Sequence, residues 1–232
     1  MFKKLKLLLI PLFLLLNFHA SAQVNEDKTG AWYMYFWNTQ FEGTNWGILG
    51  DVQYRNWNLG GDLQQLILRG GLSYSIPKSN FRFALAYGHF ISGAYGESDA
   101  TFIENRIHQD ALFSHDFNSR FFFTHRLRYE QRWVENQDFR TRYRYSLFLN
   151  IPLNQQNLGK NAIYLALNDE VFLNGQQHIG NGQTVETFDR NWFYSGLGYS
   201  VLDNLRVQLG YMHESSNAFN KGQLQLSLFH SF

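Results

Sequence analysis

Beyond residue 30, apolar and polar side chains alternate at every second position through most of the chain. A strand sends successive side chains to opposite faces, so this period predicts strands with one greasy and one polar face. Such runs fall at about 31–41, 46–56, 63–75, 80–91, 102–114, 120–133, 139–151, 161–173, 189–201, 204–214 and 222–232. Turn residues separate them: Glu42-Gly43-Thr44-Asn45, Pro77-Lys78-Ser79-Asn80, Glu135-Asn136-Gln137-Asp138 and Asp203-Asn204. Helical periodicity is hard to find. Many runs have 11 to 14 residues, whereas globular strands have about five or six and membrane-barrel strands at least about 9–11. The expected fold is all-β: a closed antiparallel transmembrane β-barrel of 10–12 strands. Eleven runs are awkward, because an all-antiparallel closure needs an even number. Either the first run stays out of the wall, giving ten, or a further strand makes twelve. The polar segment NGQQHIGNGQTVET, residues 174–187, reads as a long extracellular loop.

Alternation alone also fits an exported soluble β-barrel or sandwich that holds a small ligand, with its apolar face inward. Residue choice separates the two. The chain beyond residue 22 has four lysines, Lys28, Lys78, Lys160 and Lys221, all read as lying in the N-terminal segment, turns or loops. Arginines instead fill the runs, among them Arg69, Arg82, Arg106 and Arg206. A solvated face normally mixes in well-hydrated lysine, whereas a confined polar lumen favours the planar fork of arginine. Trp32, Trp37, Trp46, Trp57, Trp133 and Trp192 fall mostly near run ends, where interfacial girdles sit. The chain closes on Leu224, Leu226, Leu228, His230 and Phe232, which resembles the C-terminal strand that outer-membrane barrel assembly machinery recognises.

The N-terminus changes the compartment. Lys3, Lys4 and Lys6 precede an apolar run from Leu7 to Leu16, and Ala20-Ser21-Ala22 supplies small residues for cleavage. Residues 1–22 read as a signal peptide and residues 23–232 as the barrel domain, exported to the outer membrane. The apolar run is shorter than the ~20 residues a spanning helix needs. A net charge of +1 gives no electrostatic case for nucleic acid as a partner. With no cysteine, disulfides, thiolate metal sites and cysteine nucleophiles are excluded. The expected partners are outer-membrane lipids, the assembly machinery and a small anion in the lumen.

The anion enters through the stretch HRLRYEQRW, residues 125–133, where Arg126, Arg128, Glu130 and Arg132 share one face. A hairpin about Asn136 puts Arg132 opposite Arg140, Glu130 opposite Arg142, and Arg128 opposite Arg144. One glutamate then faces six arginines, and facing arginines repel unless something compensates. Glu104, with Arg106 on the same run, Glu170 and Asp51 lie on other runs, and their carboxylates offer counter-charges across the lumen. The set reads either as a brace that fixes strand register or as a constriction that attracts a phosphate or carboxylate.

These blocks carry a resemblance. Glu104-Asn105-Arg106, His125 to Arg132, Arg140-Thr141-Arg142-Tyr143-Arg144, Asn168-Asp169-Glu170-Val171-Phe172 and Gly196-Leu197-Gly198-Tyr199 resemble an uncharacterised bacterial outer-membrane β-barrel family, domain-of-unknown-function family 2490. The resemblance spans nearly the whole chain beyond the signal peptide, and it implies location and fold rather than an activity. The family pattern has an arginine after the asparagine that precedes the glycine block; here Trp192 stands there, with Arg190 two residues earlier.

One motif suggests catalysis. His213 and Ser215 share an outward face, and Asn191 lies opposite Ser215 in the expected register. A His-x-Ser pair on a lipid-facing wall resembles outer-membrane lipid acyl hydrolases, in which histidine deprotonates serine and a third group orients the ring. Those enzymes carry a glycine directly after a Ser-Asn pair, and here Ser216 interrupts the match. No phosphate loop, His-Glu-x-x-His pattern or metal-ligand spacing occurs, so no cofactor and no metal are expected. His125 and Asp169 fall on the outward face, where they read as signs of a local register error or bulge.

Overall fold

The computed structural model describes Val24, residues 28–96 and residues 98–232. The signal-peptide reading of residues 1–22 lies outside the described residues. Among the described residues eleven strands follow one another: β1 (Gly30–Gln40), β2 (Trp46–Asn56), β3 (Leu63–Ser75), β4 (Phe81–Gly93), β5 (Thr101–Phe117), β6 (Phe121–Val134), β7 (Arg140–Pro152), β8 (Ile163–Asn174), β9 (Phe188–Leu202), β10 (Leu205–Ser216) and β11 (Asn220–Ser231). They pair in chain order around a closed barrel, with β1 meeting β11.

Each sequential pair is antiparallel, but β1 and β11 are parallel, with Gly30 opposite Gln223 and Asn38 opposite Ser231. This corrects the even-number expectation: every run joins the wall, and one parallel seam absorbs the odd count. The reason is that alternation and length specify a strand and its faces, not the direction of its closing neighbour. A parallel ladder satisfies the same backbone groups.

The seam also sets the ends. Gly30 opens one rim, here the N-terminal rim, together with the connections 57–62, 94–100, 135–139, 175–187 and 217–219. Ser231 lies at the C-terminal rim with 41–45, 76–80, 118–120, 153–162 and 203–204. The β6–β7 turn needs a left-handed residue, and Asn136 supplies it with φ 58°.

The polarity of the wall is inverted relative to a globular protein. Leu72, Leu85, Leu127, Leu197 and Leu209 are more than half exposed on the outer face. Glu104, Glu130, Glu170, Glu214, Arg106 and Arg142 are buried inside. Lys221 departs from the loop expectation: it is the second residue of β11, buried, and its Nζ donates to the Lys28 carbonyl. The girdle reading also needs correction. Trp46 and Trp133 are exposed outside, but Trp32, Trp37 and Trp192 line the interior. Position near a strand end says nothing about face; parity does.

One side of the interior is apolar. Trp32, Tyr164, Ala166, Tyr194 and Met212 form a buried cluster, and Leu158 of the 153–162 connection packs against it. Two glycines make room for its rings. A Cβ on Gly198 would overlap the Tyr164 ring, and one on Gly196 would overlap Tyr194. That gives the block Gly196-Leu197-Gly198-Tyr199 a packing reason: small residues sit where aromatic rings lie flat on the wall.

Candidate functional site

Most of the interior charges come from alternate positions of β5 to β10. Across β6 and β7, Arg132 pairs with Arg140, Glu130 with Arg142, and Arg128 with Arg144. Repulsion along these rows is offset by carboxylates interleaved from both sides. Glu130 accepts from Arg142 Nε at 2.8 Å and Arg144 Nη1 at 2.8 Å, and lies 3.7 Å from Arg106 Nη1. Glu104 takes Arg106 through both oxygens at 2.7 Å and chelates Arg132 as well. Glu170 holds Arg126 at 2.8 Å and Arg144 at 2.6 Å.

The network extends past the residues first singled out. Asp110 chelates Arg128 at 2.6 and 2.7 Å. Asp189 bridges Arg142 and Arg190, and Arg190 reaches Glu214 at 2.6 Å. One chain of contacts thus runs from Arg132 on β6 through Glu104, Arg106, Glu130, Arg142, Asp189 and Arg190 to Glu214 on β10. Asp51 does not join it, because it chelates Arg69 across β2 and β3. The parity of Asp110, two residues from His108 and four from Arg106, already put it inward. Asp189 carried no such signal: adjacent to the inward Arg190, it reaches Arg142 next to a register shift between Phe172 and Leu173.

Chelated arginine–carboxylate pairs have the geometry that makes buried ion pairs tolerable. Removing one partner of such a pair strands a charge, which is costly. Besides Arg69, four interior arginines stay outside the network. Arg55, Arg82, Arg140 and Arg206 line the cavity but form no ion pair among the described residues. Arg55 lies 3.8 Å over the Trp32 ring and donates to the neutral amides of Gln53 and Gln65. In all, twelve arginines line a cavity of about 940 Å³.

Trp192, at the family's arginine position, packs edge-on against Trp32 and Phe172, with centroids 5.0 and 4.6 Å away. Arg190 takes the ion pairs nearby.

The catalytic candidates lie outside this interior. His213 is exposed on the outer wall, and Ser215 lies opposite Asn191. No hydrogen bond joins His213 to Ser215 among the described residues. The Asn191 amide donates to Asp169 Oδ1 at 2.8 Å and to the Glu170 carbonyl at 3.2 Å. A serine–histidine relay is not assembled. His125 and Asp169 are not marks of a bulge: the pairing of β6 and β8 is continuous through both. His125 bonds the Tyr145 hydroxyl at 2.8 Å, and Asp169 accepts from Asn191. Among the described residues no cluster of three or more metal-ligating side chains occurs.

No curated protein and no solved structure matches the chain. A family model does, over residues 29–225, under the description "Protein of unknown function (DUF2490)". With that match covering most of its length, the chain belongs to the DUF2490 family.

Proposed function

We propose that this protein is an integral outer-membrane barrel whose interior is braced by an arginine–carboxylate network and is electropositive. The observation that carries this reading is the inversion of polarity: leucines cover the outside while glutamates and arginines are buried inside. In water, so broad an apolar surface far exceeds the few hundred Å² that a soluble monomer exposes. In a bilayer it meets acyl chains, and a closed barrel leaves no unpaired edge in the hydrocarbon. Strands of 11 to 17 residues are long enough to cross. The soluble ligand-binding reading requires the opposite orientation of these faces.

Loop length supports an orientation. The N-terminal rim carries the 13-residue connection 175–187, whereas the C-terminal rim includes the two-residue turn 203–204. Barrels of this class place short turns at the periplasm and long loops outside, so the C-terminal rim faces the periplasm.

Fractionation tests the proposal. The barrel remains in the membrane pellet after a carbonate wash and migrates differently on gels when unheated. Release into the wash with no heat-dependent shift overturns it.

A further inference from the structure

We infer that the interior is a passage for small anions, entered at each mouth between two arginines that form no ion pair among the described residues. The inference rests on the membrane-barrel reading and adds to it a substrate class: anions of chloride to phosphate or carboxylate size.

One cavity has lining residues at both ends of the barrel. Its lining reaches Trp57 and Phe219 at the N-terminal rim and Asp203 and Ser231 at the C-terminal rim. Strands of this length, tilted as barrel strands are, span about 30 Å. A volume of about 940 Å³ over that span corresponds to a mean cross-section of about 30 Å², room for a partly hydrated small ion.

The unpaired arginines occupy the two ends. Arg82 is the second residue of β4 and Arg206 the second of β10, both at the C-terminal rim. Arg140 opens β7 and Arg55 is the penultimate residue of β2, both at the N-terminal rim. In the ring order, β4 and β10 lie on opposite walls, as do β2 and β7. Each mouth therefore presents a guanidinium from either side.

Their state differs from that of the middle. Arg140 is 9% exposed, and its Nε is buried with no hydrogen-bond acceptor. A buried guanidinium with no carboxylate in contact and an unfilled N–H is costly, and an anion beside it offsets that cost. Between the mouths, Arg106, Arg128, Arg142 and Arg144 are already chelated by carboxylates. Conduction needs entry to be favourable and holding to be weak. Unpaired charge at the ends with compensated charge between them meets both conditions.

The test is planar-bilayer recording under a KCl gradient, with heat-dependent gel migration and vesicle flotation on the same preparation to report folding and insertion. The expected result is a reversal potential of the sign for chloride selectivity. Two double variants, Arg82→Gln with Arg206→Gln and Arg55→Gln with Arg140→Gln, each lower the chloride-to-potassium permeability ratio several-fold. The first pair lies at the rim outside the ion-pair network, so its fold is retained. A folded, inserted barrel that is electrically silent, potassium-selective or unchanged in both double variants overturns the passage while leaving the membrane reading intact. A preparation that neither floats nor shifts overturns the membrane reading itself.

Discussion

Glu130 on β6 lies directly opposite Arg142 on β7, with Oε2 2.7 Å from the Arg142 Nη2 and both side chains almost wholly buried. The same carboxylate serves Arg144 and approaches Arg106. Glu130→Ala leaves this group of guanidiniums short of one counter-charge. Breaking a buried pair costs about 3–5 kcal/mol, so the variant should unfold at a clearly lower temperature in a heat-dependent gel-migration series. An unchanged midpoint would show that the network does not brace the wall.

Gly198→Val tests the flat seat of Tyr164. The new side chain meets the ring at once, and overpacking of this kind costs about 1–3 kcal/mol. Tyr164→Ala in the same chain should recover part of the loss, whereas two independent sites would give additive losses. Unfolding midpoints of the two single variants and the double variant decide between these outcomes.

Leu127 stands midway along β6 and is 59% exposed. Under the membrane reading, Leu127→Lys costs about 2–4 kcal/mol, the range for a lysine at the bilayer midplane. A soluble barrel would barely respond. The readout is the folded fraction after refolding into lipid vesicles; equal yields for both chains would count against a bilayer around this wall.

Ser215→Ala and His213→Ala should have no effect on acyl release from phospholipid, because the two side chains share no hydrogen bond and the Asn191 amide is committed to Asp169. Purified barrel is incubated with phospholipid, with and without divalent cation. Release that disappears in Ser215→Ala would reinstate the hydrolase.

How far sequence reaches into this fold depends on what alternation encodes. It encodes faces, so the eleven runs become the eleven strands, and the turn about Asn136 correctly aligns Glu130 with Arg142. It does not encode strand direction at the seam, so counting pairs led to ten or twelve. Within the site, the parity of Asp110 was readable. Asp189 was not, because it reaches the network beside a local register shift. Nor could alternation show that Asp51 would be taken by Arg69, since that depends on which strand lies beside β2.

Because β1 and β11 run the same way, Gly30 and Ser231 open onto opposite mouths of the barrel. Ten of the strands could be laid down as hairpins, but the eleventh must cross without a hairpin partner of its own. Circular permutation, which succeeds where chain ends adjoin, is closed to this architecture without a linker as long as the barrel. A reporter fused ahead of β1 and another fused after β11 would be displayed on opposite sides of whatever layer the barrel traverses.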